Sequence, residues 1–366
     1  MLSHSYCIII LFLLLHLTYQ RNMPNSIDVT DENHKTVKFI ALLLFIIFIL
    51  YGIISNTLMA IVLFCKEQSK HYSREFILIT SQLIISDLIT FLPQMVVVLP
   101  EILTAKNSSY ANETTWINYS FSTFNTFSLF SILHFSFLLT VNRFVALILP
   151  KHYFFFESTK LYFMIAFVWL SVLAITLADF YYCTRRFLVW SLSWGGDCVK
   201  SGEMGDIWWR VRYIWALCVP NIMFIMYIAI FHSIRRKRNF TINSNQRITI
   251  TCARHERNAV KIRHYERSML VQAAWHCGVL EVGIIIFNFL PPILIKFFNQ
   301  EVYLASRIFL NCFILFSCAL LPTVHFTYSK QSRNIIKHHL YDWIQFRIGR
   351  LRNTATIQGG TQAAVW

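Results

Sequence analysis

The chain has 366 residues, of which 56% are hydrophobic and only 14% are charged. This balance excludes an ordinary soluble domain, because a soluble core could not bury so much apolar surface. The net charge of +15 suits either nucleic acid or a membrane surface, and the position of the basic residues along the chain favours the membrane. We therefore expect contacts with membrane lipid and no nucleic-acid partner.

Residues 1–22 form an apolar leader. Its core, Ile8 to Leu17, is shorter than the roughly 20 residues that a membrane-crossing helix needs, and it is typical of a signal peptide. Met1 to Cys7 contains no Lys or Arg and no clear cleavage site follows, so an unremoved apolar leader remains the alternative. Residues 23–38 are then an extracellular N-terminal segment.

Seven apolar stretches follow, each long enough to cross a bilayer as a helix. They are Phe39–Phe64, Phe76–Pro100, Tyr119–Leu149, Leu161–Tyr182, Val211–Ile234, Met269–Phe298 and Leu304–Tyr328. Backbone groups in lipid need partners within the protein, and the sequence lacks the alternating pattern of a barrel. We therefore predict an all-α membrane protein in which residues 39–328 form a seven-transmembrane helix bundle.

The distribution of basic residues predicts that the N-terminus lies outside. With that orientation, roughly two thirds of the Lys and Arg residues fall in the inner loops and tail, as expected for inner segments. Three glycosylation sequons, at Asn107, Asn112 and Asn118, then share one extracellular loop, and we predict glycans there. A fourth sequon at Asn239 falls in an inner loop and is expected to stay bare. The location that follows is the plasma membrane, with several crossings.

The segment after the seventh stretch predicts a surface helix. In residues 329–349, Ile335, Ile336, Leu340 and Trp343 recur near helical spacing, with basic residues opposite. We expect this amphipathic juxtamembrane helix to lie on the inner membrane surface. The stretch from Asn353 to Trp366 is small and polar, and we expect residues 350–366 to form a disordered cytoplasmic tail.

Polar groups inside the stretches are functional candidates, because a charge at membrane depth costs roughly 2.5–3.5 kcal/mol on insertion scales. Asn56 lies in the first stretch and Asp87 in the second. Asn142 and Arg143 lie near the end of the third, and Pro322 lies in the seventh. Asp87 could also be a neutral group hydrogen-bonded between helices, and Arg143 could be an ordinary interfacial anchor.

This set of residues resembles a rhodopsin-like G-protein-coupled receptor. The likeness covers about residues 39–346. The form Asn142-Arg143-Phe144, with Ala146 and Pro150 close behind, is most similar to the nematode serpentine chemoreceptors of the class X type. The resemblance implies a receptor that binds an extracellular ligand and activates a heterotrimeric G protein.

The resemblance also implies roles for single residues. Asp87, with Asn56 nearby, would form a polar pocket able to hold a sodium ion. Arg143 would be held at rest and would contact the G protein on activation. The family's acidic neighbour of this arginine is replaced by Asn142, which removes a local ion pair. Pro322 can kink the seventh helix although the Asn and Tyr around the family's proline are absent.

Cysteine positions predict one disulfide bond. The family's usual extracellular bond cannot form, because residues 101–132 contain no cysteine. Cys183 and Cys198 lie in a loop that faces an oxidising space, and closing about fifteen residues would stabilise it by roughly 3 kcal/mol. Free thiols are the alternative. The intervening loop is rich in aromatic residues, which suits a hydrophobic lid.

The ligand is not specified by the sequence. The third stretch offers hydroxyl and aromatic side chains and no acid, which favours a neutral or apolar small molecule or a peptide. A small transporter or channel without G-protein coupling is the alternative, but no internal repeat is present and the number of stretches is odd. Asp87, Asp179, His276 and Glu281 are scattered over the second, fourth and sixth stretches and no motif links them, so we predict no catalytic residue, metal centre, cofactor or enzymatic activity.

Overall fold

The computed structural model describes most of the apolar part of the chain. The continuous described ranges are 35–65, 73–104, 115–156, 158–189, 192–197, 202–245, 277–287 and 301–330, with shorter pieces between 271 and 297 and between 332 and 345.

Helices make up nearly all of the described residues. They are α1 (Lys35–Phe64), α2 (Arg74–Pro93), α3 (Leu99–Thr104), α4 (Thr115–Ile148), α5 (Ser158–Tyr182), α6 (Gly202–Asn245), α7 (Cys277–Phe287) and α8 (Glu301–Tyr328). A π-helical turn, Gln94–Val98, joins α2 to α3 directly after Pro93. A 3-10 helix, Pro150–Phe156, joins α4 to α5.

Six helices are long and apolar enough to cross a membrane. These spans are Thr36–Phe64, Arg74–Leu103, Trp116–Ile148, Thr159–Tyr182, Gly202–Arg236 and Leu304–Tyr328. They coincide with six of the seven predicted stretches, and they indicate a multi-pass membrane protein. Within the predicted sixth stretch the described helix is α7, which is shorter than a full crossing. The seventh crossing is therefore a proposal.

The helix after α8 is described only in part. Residues 332–338 are helical, and Ser332 and Ile335 are buried within them. Most of the remainder of the predicted juxtamembrane helix, the leader at 1–22 and the tail at 350–366 lie outside the described residues. These assignments stay predictions.

One glycine in α1 and one capping residue before α2 help to explain how these two helices pack. A Cβ atom at Gly52 would lie 2.2 Å from the Phe91 ring, so only glycine allows α1 to approach α2 at that level. Helix α2 begins after Ser73, whose hydroxyl accepts a hydrogen bond from the Phe76 amide at 3.3 Å. The close approach and the capped start fix the position of α2 beside α1 and α4.

Helix α4 is the centre of the described bundle. It packs against α2, α5 and α6, while α1 packs against α8 and α2. One buried cluster lies among α1, α2, α4 and α8, and includes Phe45, Phe91 and Ile308. A second lies around Phe135, and a third lies between α4 and α6 around Met223.

The described residues are nearly all helical, as predicted, apart from one short hairpin. Strands β1 (Thr184–Leu188) and β2 (Ser193–Asp197) form an antiparallel hairpin. Aromatic and β-branched side chains favour strands, but pairing between strands depends on the partner segment and not on local sequence alone. The hairpin joins α5 to α6.

The bundle has two distinct ends. We call the hairpin end the one that carries β1 and β2, where α5 and α6 meet. We call the Arg143 end the opposite one, where α1 and α4 finish and α2 and α5 begin. The candidate site residues are distributed between these two ends and the buried centre.

Candidate functional site

Arg143 stands near the end of α4, beside the start of α2. Its guanidinium carbon lies 4.7 Å from the centre of the Phe76 ring, a cation–π distance. Asn142 points into the bundle, where it is 2% exposed, and its Nδ2 has no hydrogen-bond partner among the described residues. These two neighbouring residues therefore have different surroundings. The Arg143 side chain packs against α2, and the Asn142 amide is buried inside the bundle.

Asn56 joins two helices that are far apart in sequence. Its Nδ2 donates to the carbonyl oxygens of Gly52 (2.9 Å) in its own helix and of Cys318 (3.0 Å) in α8. Asp87 in α2 is 1% exposed, and the Cys318 side chain is in hydrogen-bond contact with it. Residues from α1, α2 and α8 thus meet at one buried level.

Two buried oxygen atoms at this level lack hydrogen-bond partners among the described residues. They are Oδ1 of Asp87 and Oδ1 of Asn56. Oxygen atoms of this kind suit a small hard cation, so the donor chemistry fits the sodium ion that the resemblance implies. The described residues contain no cluster of three or more His, Cys, Asp or Glu side chains that could hold a metal ion.

Pro322 lies buried inside α8, and the residues after it bind neighbouring elements. Thr323 hydrogen-bonds the Tyr51 hydroxyl at 2.7 Å, which ties α8 to α1. His325 is fully buried, and its Nε2 lies 2.8 Å from the Ser332 hydroxyl beyond the end of α8. These polar side chains connect α8 to its surroundings next to Pro322, without the Asn and Tyr of the larger family.

At the hairpin end, the hairpin inserts apolar side chains into the bundle. Phe187 is 3% exposed and Leu192 is fully buried, and both belong to the cluster that contains Phe45 and Ile308. Phe187 also packs edge-on against its register partner Trp194, with ring centres 5.4 Å apart. The aromatic loop between the two cysteines is thus folded into a lid over this end.

Two asparagines on different helices bind the lid. Asn118 of α4 accepts a hydrogen bond from the Phe187 amide at 2.8 Å and donates to the Phe187 carbonyl oxygen at 3.3 Å. Asn311 of α8 donates to the Leu192 carbonyl oxygen at 2.6 Å. Strand β1 and the residue just before β2 are therefore held by α4 and α8.

The position of Asn118 bears on its predicted glycan. Helix α4 begins at Thr115, four residues before the predicted start, so this asparagine lies inside the helix. It is 8% exposed, and its Nδ2 also donates to Glu101 at 2.6 Å. This geometry disfavours modification of Asn118 in the folded chain. Asn107, Asn112 and Cys198 lie outside the described residues.

A buried charge cluster beneath the lid was missed in the sequence. Oδ1 of Asp179 accepts hydrogen bonds from Arg212 (2.8 Å) and Trp208 (3.3 Å), both in α6. Its Oδ2 accepts from Thr126 of α4 (2.9 Å) and lies 3.5 Å from Nε of Arg185 in β1. One carboxylate therefore joins α4, α5, α6 and the hairpin. The sequence identified Asp179 as a polar residue within an apolar stretch, but it indicated none of these partners.

A second polar pair joins α6 to α7. Nδ2 of Asn221 donates to Oε1 of Glu281 at 3.0 Å, while Oε2 of Glu281 is buried without a hydrogen-bond partner among the described residues. Asn221 follows Pro220, and a polar residue after a proline inside an apolar run is a signal that could have identified it.

The central part of the chain matches a known family model. Residues 73–203 match the model of the Caenorhabditis serpentine receptor-like protein, class xa. This segment is similar to a nematode serpentine receptor. It runs from the cap of α2 to the start of α6, so it contains Asp87, Arg143, Asp179 and the hairpin, but not Asn56 or Pro322. No curated protein matches the chain.

The match confirms the resemblance to nematode serpentine receptors that the sequence predicted. The class that it names is xa. The matched residues therefore include Arg143 near the end of α4 and both strands of the lid.

Proposed function

We propose that the chain is a seven-helix chemosensory receptor of the plasma membrane. In this proposal the hairpin end faces outside and receives a small molecule or a peptide, and the Arg143 end faces the cytoplasm and activates a heterotrimeric G protein. The distribution of Lys and Arg supports this orientation, and the similarity of residues 73–203 to a serpentine receptor supports the receptor class.

The observation that carries the proposal is that α4 runs from the lid to the Arg143 end as one continuous helix. The same helix holds the lid through Asn118 and presents Arg143 twenty-five residues later, a distance of about 37 Å at 1.5 Å per residue. A ligand that displaces the lid therefore acts directly on the helix that carries the arginine. Such a ligand biases an equilibrium between closed and open forms of the Arg143 end.

The buried centre supports the same mechanism. Asn56 and Asp87 meet α8 one turn before Pro322, so a movement of α8 at this proline reaches both of them. In the proposal these two residues hold a sodium ion in the resting form, and Asn142, Arg143 and Pro322 take part in the switch. Cys183 and Cys198 form a disulfide that closes the lid loop, and Asn107 and Asn112 carry glycans.

The test is nucleotide exchange on G proteins by membranes that contain the full chain. Pools of volatile compounds, water-soluble compounds and peptides are added in turn. The proposal expects at least one pool to increase exchange above the level in membranes without the chain. The alternative, a transporter or channel, instead expects ligand-dependent solute flux in sealed vesicles with no change in exchange.

A further inference from the structure

Three consecutive residues at the start of α2 each contact a different element at the Arg143 end. The pairs are Arg74 with Tyr162 of α5, Glu75 with Tyr153 of the 3-10 helix, and Phe76 with Arg143 of α4. Because Ser73 caps this helix and Phe76 is 5% exposed, the three side chains project from a fixed backbone. The start of α2 therefore contacts α4, α5 and the 3-10 helix at this end of the bundle.

The contact between Phe76 and Arg143 is the most direct of the three. A guanidinium 4.7 Å from the ring centre interacts with the negative face of the aromatic ring. Phe76 packs in one buried cluster with Ile79 of α2 and with Leu138 and Leu139 of α4, so its ring lies at the interface between these two helices. The neighbour of Arg143 in α4 is the neutral Asn142, which brings no charge of its own to the arginine.

The contact between Tyr153 and Glu75 lies directly beside this pair. The Tyr153 hydroxyl donates to Oε2 of Glu75 at 3.1 Å, and its ring stacks on Phe156, which is 1% exposed. Burial and the Glu75 carboxylate raise the pKa of Tyr153, so the hydroxyl keeps its proton and remains a donor. Arg143 acts on the same tyrosine electrostatically. The Glu75 carboxylate raises the pKa of Tyr153 and the Arg143 guanidinium lowers it, so both charges lie near this tyrosine.

We propose that the start of α2 is a clamp that holds Arg143 at rest, with Phe76 as the direct contact and with Glu75 and Tyr153 as its support. This inference rests on the proposed function. Separation of α4 from the start of α2 breaks the cation–π contact and releases the arginine. All three clamp residues are positioning residues, since they act through Arg143.

The first test is basal nucleotide exchange, without ligand. Phe76→Leu keeps an apolar side chain and removes the ring face, and we expect basal exchange to rise about two- to fivefold, the range of an exposed cation–π contact. Phenylalanine analogues with one, two or three ring fluorines at position 76 should raise exchange in that order, because fluorine weakens the negative ring face with little change in size. Tyr153→Phe should give a smaller rise.

The matched control is Phe154→Leu. The Phe154 ring lies 4.3 Å from Nζ of Lys160, so this variant removes a different cation–π contact at the same end. Basal exchange should be unchanged. Equal rises in Phe76→Leu and Phe154→Leu, or no gradation among the fluorinated analogues, would overturn the clamp.

The second test does not depend on signalling. Thermal unfolding midpoints of wild type, Phe76→Leu, Arg143→Gln and the double variant form a double-mutant cycle. The clamp expects shifts that are not additive. Additive shifts overturn the clamp and leave the receptor proposal intact, whereas coupled shifts with no exchange under any ligand or variant would overturn the receptor proposal and the regulation inferred from it.

Discussion

Asn118 in α4 engages both backbone polar groups of Phe187 in β1, accepting from its amide nitrogen at 2.8 Å and donating to its carbonyl oxygen at 3.3 Å. One side chain therefore replaces a strand partner along the edge of the hairpin. An edge strand that is buried against a bundle needs such a partner, because unpaired backbone groups are costly away from water. The lid owes its fixed position on α4 to this residue.

The first prediction concerns that contact. Asn118→Ala leaves the buried Phe187 amide and carbonyl without their partner, and we expect a loss of about 1–3 kcal/mol in stability, measured as a lower thermal midpoint in detergent. Ser120→Ala is the control, because it removes the same glycosylation sequon at an exposed position and leaves the contact intact. Equal losses in both variants would show that the hydrogen bonds are not the cause.

The second prediction concerns the buried charge cluster. Asp179→Asn removes the negative charge that Arg212 and Arg185 share, while the Asp179 side chain is only 4% exposed. Removal of one partner from a buried ion pair costs about 3–5 kcal/mol, and we expect a large fall in the thermal midpoint. Asp206→Asn, an exposed acid in α6, should have little effect.

A double variant sharpens this prediction. Asp179→Asn combined with Arg212→Gln removes both charges of the shortest pair, and it should be less unstable than the sum of the two single variants. Additive losses would mean that the two groups do not interact in the folded protein.

The third prediction concerns the lid loop. Thr184 and Asp197 are register partners in the hairpin, and Cys183 and Cys198 flank them in the sequence. We expect mass spectrometry of peptides from the unreduced protein to find these two cysteines linked, and reduction to destabilise the protein by roughly 3 kcal/mol. Before reduction, a thiol-reactive label should therefore leave Cys183 unmodified. Labelling of Cys183 under the same conditions would contradict the bond.

The fourth prediction concerns glycans and, through them, orientation. Removal of glycans by a glycosidase should shift the gel mobility of the wild type, and Asn107→Gln and Asn112→Gln should each reduce that shift. Asn118→Gln should leave the shift unchanged, because this amide is enclosed by Glu101 and Phe187. A shift that is lost only in Asn239→Gln would place the segment that carries Asn239 outside and reverse the orientation.

The long apolar runs made the membrane helices predictable from sequence. Their length and composition depend only on local residues, and six of the predicted crossings correspond to helices such as α1 and α8. The boundaries were less certain, since the polar sequence before Tyr119 continues α4 back to Thr115. The buried placement of Asp87 also follows from local sequence, because an acid within an apolar run cannot reach water.

The contacts between distant segments could not be predicted. Asp179 meets Thr126, Arg185 and Arg212, which lie on three other elements, and no spacing along the chain indicates those pairs. The hairpin depends likewise on pairing between β1 and β2. The support of Arg143 by Phe76 requires the packing of α2 against α4.

The most direct test of the receptor account compares ligand-stimulated nucleotide exchange in wild type, Arg143→Ala and Arg236→Ala, at equal surface expression. Arg236 is an exposed arginine of α6, in the basic run from Arg235 to Arg238, so it controls for the loss of one positive charge. The account predicts that Arg143→Ala abolishes the response while Arg236→Ala retains it. A full response in Arg143→Ala would contradict the account.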